Sequence, residues 1–139
     1  MGSNLDITSK STRGVAVSNI ASIKRQVATY LDECMALDGV SGCAVVSRTG
    51  ALIGQRMDRS LSALSFAAMG ATILGSSEAA ASMVHFSRPS SVFVEVDDGG
   101  ILVLGAGNDA LITVIINKSA DIQSLKRELA VIADNIGEE

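Results

Sequence analysis

Apolar positions follow a helical period from Ser18 to Leu37, where Ile20, Ile23, Val27, Tyr30, Leu31 and Cys34 form one stripe. Lys24, Arg25, Asp32 and Glu33 fall outside it, and Ser18 or Asn19 is the expected cap. After Asp38-Gly39 the period changes. Cys43–Ser47 is an apolar run of strand length, Arg48-Thr49-Gly50 reads as a tight turn with glycine at the left-handed position, and Ala51–Met57 returns as a second strand. Ser91–Asp97 alternates, with Val92, Val94 and Val96 on one face and Phe93 and Glu95 on the other. Asp98-Gly99-Gly100 then signals a hairpin, and Ile101–Leu104 and Leu111–Ile116 are apolar runs joined by a Gly-rich turn. A last helix is expected over Asp121–Ile136, capped by Ser119 and carrying Ile122, Leu125, Leu129, Ile132 and Ile136 on its inner face. The runs Cys43–Val46, Ile101–Leu104 and Leu111–Ile116 lack polar alternation, so they read as central strands covered on both faces. The more polar Ala51–Met57 and Ser91–Asp97 read as edges. The expected architecture is α+β: a five-stranded antiparallel sheet with helices on both faces.

Between the second and third strands lies the most distinctive stretch, Leu61–His85. It holds one formal charge, Glu78, and fourteen of its 25 residues are Ala, Gly or Ser. It reads as a helix that stops before Pro89, because the residue before a proline avoids helical geometry. Leu61, Leu64, Ala68, Ala71, Gly75 and Ala79 form one stripe, and Phe66, Met69, Ile73, Ala80 and Met83 form another. A helix that is apolar all round must be covered all round. The chain's own sheet covers one side; a second molecule is the expected cover for the other. The bulky stripe is assigned to the sheet and the small one to a partner helix. The uncharged run Leu61–Ser77 is 17 residues dotted with Ser and Gly, whereas a membrane span wants about 20 predominantly apolar residues.

Composition narrows the function classes. A chain of 139 residues makes one domain by the usual prior of roughly 100–200 residues. Residues 1–17, rich in Ser, Thr and Gly, are expected to be a mobile tail, and 18–139 the domain. A net charge of −4 and an aromatic fraction of 3% with no Trp argue against a nucleic-acid footprint. Cys34 and Cys43 sit in apolar surroundings; they could in principle pair, and buried free thiols of a cytosolic protein are the favoured reading. No apolar leader is visible at the N-terminus, so the expected location is cytoplasmic.

The motifs carry little chemistry. Gly105-x-Gly107-x-x-Ala110 follows an apolar strand as a dinucleotide fingerprint does. That fingerprint needs a helix next, and the residues here are the β-branched LITVII, so a hairpin is the better reading. His85 is the chain's single histidine, and no GxSxG elbow is present. Two Cys and one His at these spacings do not suit zinc. Asp97 and Asp98 are adjacent carboxylates in a turn, where Asp bonds its own backbone. No catalytic residue, metal site or cofactor is expected. Arg48, Arg56, Arg59 and Arg88 are candidates for the rim of a binding surface.

Taken in order, Gly39-Val40-Ser41-Gly42-Cys43-Ala44-Val45-Val46-Ser47-Arg48-Thr49-Gly50-Ala51-Leu52-Ile53, Phe66-Ala67-Ala68-Met69, Val92-Phe93-Val94-Glu95-Val96 and Asp109-Ala110-Leu111-Ile112 resemble the roadblock family of dynein light-chain-like modules, over roughly Ser18–Ile136. The resemblance implies an α-β-β-α-β-β-β-α sandwich with strand order 2-1-5-4-3. It implies a homodimer, or a heterodimer with a related subunit, formed through the middle helix and third strand. It also implies a non-enzymatic scaffold or modulator of small Ras-like GTPases. On this reading the dimer interface comprises Leu64, Ala68, Ala71, Gly75, Val92 and Val94, and Arg56, Arg59 and His85 border the GTPase surface. The alternative is a small-ligand sensor domain of similar five-strand architecture.

Overall fold

A computed structural model describes the backbone of residues 2–139 and the side chains of residues 19–139. Its elements are α1 (Gly2–Met35), β1 (Val40–Ser47), β2 (Leu52–Arg56), α2 (Ala63–Met83), β3 (Ser91–Val96), β4 (Gly99–Ala106), β5 (Ala110–Asn117) and α3 (Ile122–Gly137). The five strands form one antiparallel sheet in the order β2-β1-β5-β4-β3, as the resemblance implies.

Three boundaries differ from expectation. Helix α1 begins at Gly2, so neither Ser18 nor Asn19 caps it; the Asn19 side-chain amide instead donates to the Asp109 carboxylate at 3.4 Å. The mobile tail expected over 1–17 falls outside the residues whose side chains are described. Helix α3 is capped by Asp121 rather than Ser119. The Asp121 carboxylate accepts from the Ser124 backbone at 3.2 Å and from the Ser124 hydroxyl at 3.0 Å, and these bonds hold its carboxyl below the usual range. The β3–β4 hairpin turns on Asp97-Asp98, with Gly99 already pairing with Val96. The β1–β2 turn forms where expected, with Gly50 at φ 93°. Gly107, at φ 70°, turns the β4–β5 hairpin, so no helix follows the glycines of the fingerprint-like motif.

The sheet separates two cores. Helices α1 and α3 cover one face, where Ile23, Leu31, Leu125, Leu129 and Ile136 pack against Cys43, Val45, Leu102, Ile112 and Val114. Helix α2 lies on the other face, over Ala44, Val46, Val103 and Leu111. The central strands β1, β4 and β5 are therefore buried on both faces, which is why their sequences do not alternate. Cys34 and Cys43 are buried free thiols in the larger core. No helix among the described residues is long and apolar enough to cross a membrane.

Candidate interaction surface

The sheet meets a third stripe of α2, neither of the two expected: Ala67, Gly70 and Leu74 are its buried residues. A methyl group on Gly70 would stand 2.2 Å from the Thr113 hydroxyl oxygen on β5. The small Ala67 and Gly70 therefore let the helix descend onto the sheet. Ser62 caps the start, its hydroxyl accepting from the Ser65 backbone at 3.3 Å.

This seating leaves two flanks. On one, Ala68 and Ala71 lie beside the β1–β2 turn, since a methyl on Gly50 would come within 3.5 Å of Ala68 Cα and 3.7 Å of Ala71 Cβ. Leu64 is 72% exposed on α2, and among the described residues nothing outside the helix's own backbone lies within 4 Å of a Cβ placed on Gly75. On the other flank, Phe66 and the exposed Met69 border a cleft of about 370 Å³, completed by Met57, Leu61, Ile101 and Ile115. Phe66 and Ile73 are half-buried against the second core, as the bulky stripe was expected to be; Met69 and Met83 are not.

The β3 side has an open edge, because β3 pairs with β4 alone. Ser90 accepts a hydrogen bond from Gly105, the residue opposite it, at 3.2 Å. Antiparallel pairs alternate between bonded and non-bonded. Val92 and Val94 therefore turn their N–H groups toward β4, while Ser91, Phe93 and Glu95 turn theirs outward. The side chains of Val92 and Val94 share the α2 face with their partners Val103 and Ile101.

The one charge on α2 is neutralised within the fold. Glu78 accepts from Arg48 at 3.1 Å through both carboxylate oxygens and from Arg88 at 2.9 Å. Arg48 also donates to the Gly107 carbonyl at 2.8 Å, and Arg88 to Asn108 at 3.3 Å. This clamp joins α2, the β1–β2 turn, the β4–β5 turn and the segment before β3. Partial burial pushes the Glu78 carboxyl up, but the hydrogen bonds from Arg88 and Arg48 outweigh it and hold it below its ordinary range. A carboxylate depressed on folding stabilises the fold at pH above its unfolded value, and that stability is lost as pH falls through the folded value. Wild-type thermal stability should therefore fall between about pH 5 and pH 3 more steeply than that of Glu78→Gln. Parallel slopes in the two proteins would show that Glu78 carries no such linkage.

Arg56, Arg59 and His85 do not converge within one copy. Arg56 ends β2 and pairs with Asp32 at 3.4 Å. Arg59 is exposed in the loop before α2, and His85 lies beyond its far end. A helix of 21 residues separates them by about 30 Å. His85 has φ 62° and forms the left-handed turn that ends α2: its N–H bonds Ser82 at 3.1 Å and the Phe86 N–H bonds Ala81 at 2.9 Å. Phe86, which the sequence pattern did not single out, is held 74% exposed by that turn. A large aromatic immediately past a helix end was the available signal.

A Roadblock/LC7 domain model matches residues 26–116. No curated protein sequence matches the chain. The fold is similar to that of an MglB with a tetrameric arrangement (TM-score 0.72, 17% identity, 82% of this chain and 87% of that chain). It is likewise similar to the gliding protein MglB from Thermus thermophilus (TM-score 0.71, 16% identity, 82% and 87%). A Roadblock/LC7 domain from Streptomyces avermitilis shares it too (TM-score 0.67, 19% identity, 76% and 88%). With the family model spanning the sheet and the middle helix, and the strand order in agreement, the chain belongs to the Roadblock/LC7 domain family.

Proposed function

We propose that this chain is a non-catalytic, dimeric interaction module of the cytoplasm that binds a small Ras-like GTPase. The observations that carry the reading are the apolar flank of α2, where exposed Met69 borders a cleft with Ile101 of β4, and the open edge of the neighbouring strand β3. A contiguous apolar surface of this kind marks a protein contact, and an open edge is a template for another strand. The interface runs along β3, through Val92 and Val94, and along the Phe66–Met69 flank of α2. Of the stripe expected at the interface, Ala68 and Ala71 lie beside the β1–β2 turn, while Leu64 and Gly75 stand exposed. The regulation of Ras-like GTPases implied by the family resemblance supplies the partner class. In an antiparallel pair the Arg59 end of one α2 lies beside the His85 end of the other, which gives Arg56, Arg59 and His85 one composite surface.

Two edge variants separate pairing from folding. Glu95→Pro removes an outward N–H and should give a folded monomer, whereas Val94→Pro removes a bond to β4 and should damage the sheet itself. In a pull-down against Ras-like GTPases from the source organism, loaded with GDP or GTP, the wild-type dimer should retain one of them and the Glu95→Pro monomer should not. Retention of no GTPase in either state, or equal retention by the monomer, would overturn the reading.

A further inference from the structure

Helix α2 carries complementary apolar features at its two ends. At its N-terminal end lies the cleft bordered by Met57, Leu61, Phe66, Met69, Ile101 and Ile115, whose lining is almost wholly apolar. At its C-terminal end Met83, Val84 and Phe86 stand 80%, 57% and 74% exposed. The left-handed His85 and its hydrogen bonds fix their direction. A knob and a hole at opposite ends of one helix satisfy each other in a single operation when two copies meet about a two-fold axis with their α2 helices antiparallel, because such a contact is made twice.

The charges along β3 favour the same orientation. Its start has a basic excess: Lys126 and Arg127 of α3 outnumber Asp134 around a second cleft at Ser90 and Ser91, and Arg88 just before the strand shares Glu78 with Arg48. Its end is acidic, with Glu95, Asp97 and Asp98. Two antiparallel β3 strands set basic start against acidic end at both extremities, while a parallel arrangement sets like against like. Resting on the dimer proposed above, we infer that the Met83–Phe86 turn of each copy seats in the Met57–Ile115 cleft of the other, so that each cleft is completed by a second copy of this chain.

The test mixes two single-cysteine variants, Phe86→Cys and Ser65→Cys, the latter at the cleft rim, and lets them exchange before mild oxidation. The native Cys34 and Cys43 are buried and do not compete. The mixture should yield a covalent dimer that neither variant yields alone. Phe86→Ala, a change at an exposed site that leaves each copy folded, should weaken dimerisation by about tenfold or more in sedimentation equilibrium. A dimer that gives no mixed cross-link and is unaffected by Phe86→Ala overturns the seating and leaves the dimer standing. A wild-type protein that stays monomeric at tens of micromolar overturns both.

Discussion

Leu74→Ala is expected to cost about 2–5 kcal/mol of unfolding free energy, the range for emptying a leucine site in a packed core. Leu74 is fully buried between α2 and the sheet, among Ala44, Val46, Val103 and Leu111. Those neighbours are held by strands pinned from the other face, so the cavity has little freedom to collapse. Leu64→Ala on the same helix is the control. Leu64 is exposed, and its truncation should fall within about 0.5 kcal/mol of wild type. Urea denaturation at one fixed protein concentration decides, since assembly adds to apparent stability. Equal costs for the two leucines would mean that α2 sits on the sheet by another face.

Gly70→Ala should destabilise by about 1–3 kcal/mol through overpacking, although alanine is ordinarily the better helix former by about 1 kcal/mol. The reversal of sign is what makes the variant informative. The new methyl would meet the Thr113 hydroxyl at 2.2 Å, its Cβ at 3.3 Å and its methyl at 3.4 Å, so Thr113 must turn or the helix must shift to admit it. Thr113 is fully buried and its hydroxyl has no partner among the described residues. Thr113→Ala alone should therefore cost little, because it removes a polar group that makes no hydrogen bond. Combining the two should recover part of the Gly70→Ala loss, a coupling that a double-mutant cycle reads directly. Additive losses would separate Gly70 from Thr113.

The strands were legible because their chemistry is local. Apolar runs without alternation marked β1, β4 and β5 as central, and Gly50 marked its turn. The inner face of α2 was not legible. In a helix built of Ala, Gly and Ser, side-chain volume does not tell the buried stripe from the exposed one, and the stripe on the sheet turned out to be the one that allows closest approach, at Gly70. The Arg48–Glu78–Arg88 clamp was hidden for a different reason. Its members are scattered along the chain and meet only when two turns and a helix end reach the same side of the sheet. The lone carboxylate in an uncharged helix was the hint. Asp121 displaced Ser119 as the α3 cap because it stands at the first helical turn, where its carboxylate reaches Ser124.

The two edges of the sheet are unequal. At β2 the exposed Gln55 and Arg56 end the strand, Arg56 holds Asp32 of α1, and Val27 crowds Gly54 so closely that a methyl there would come within 2.8 Å of it. That edge is polar and braced, as edges are when addition is to be refused. At β3 the strand carries one exposed charge, Glu95, which forms no ion pair among the described residues. A pair joined through β3 would consume both permissive edges and present a refusing one at either extremity. Polymer growth along the sheet would stop after a single addition, so the copy number would be limited by the asymmetry of one subunit and not by the strength of the contact.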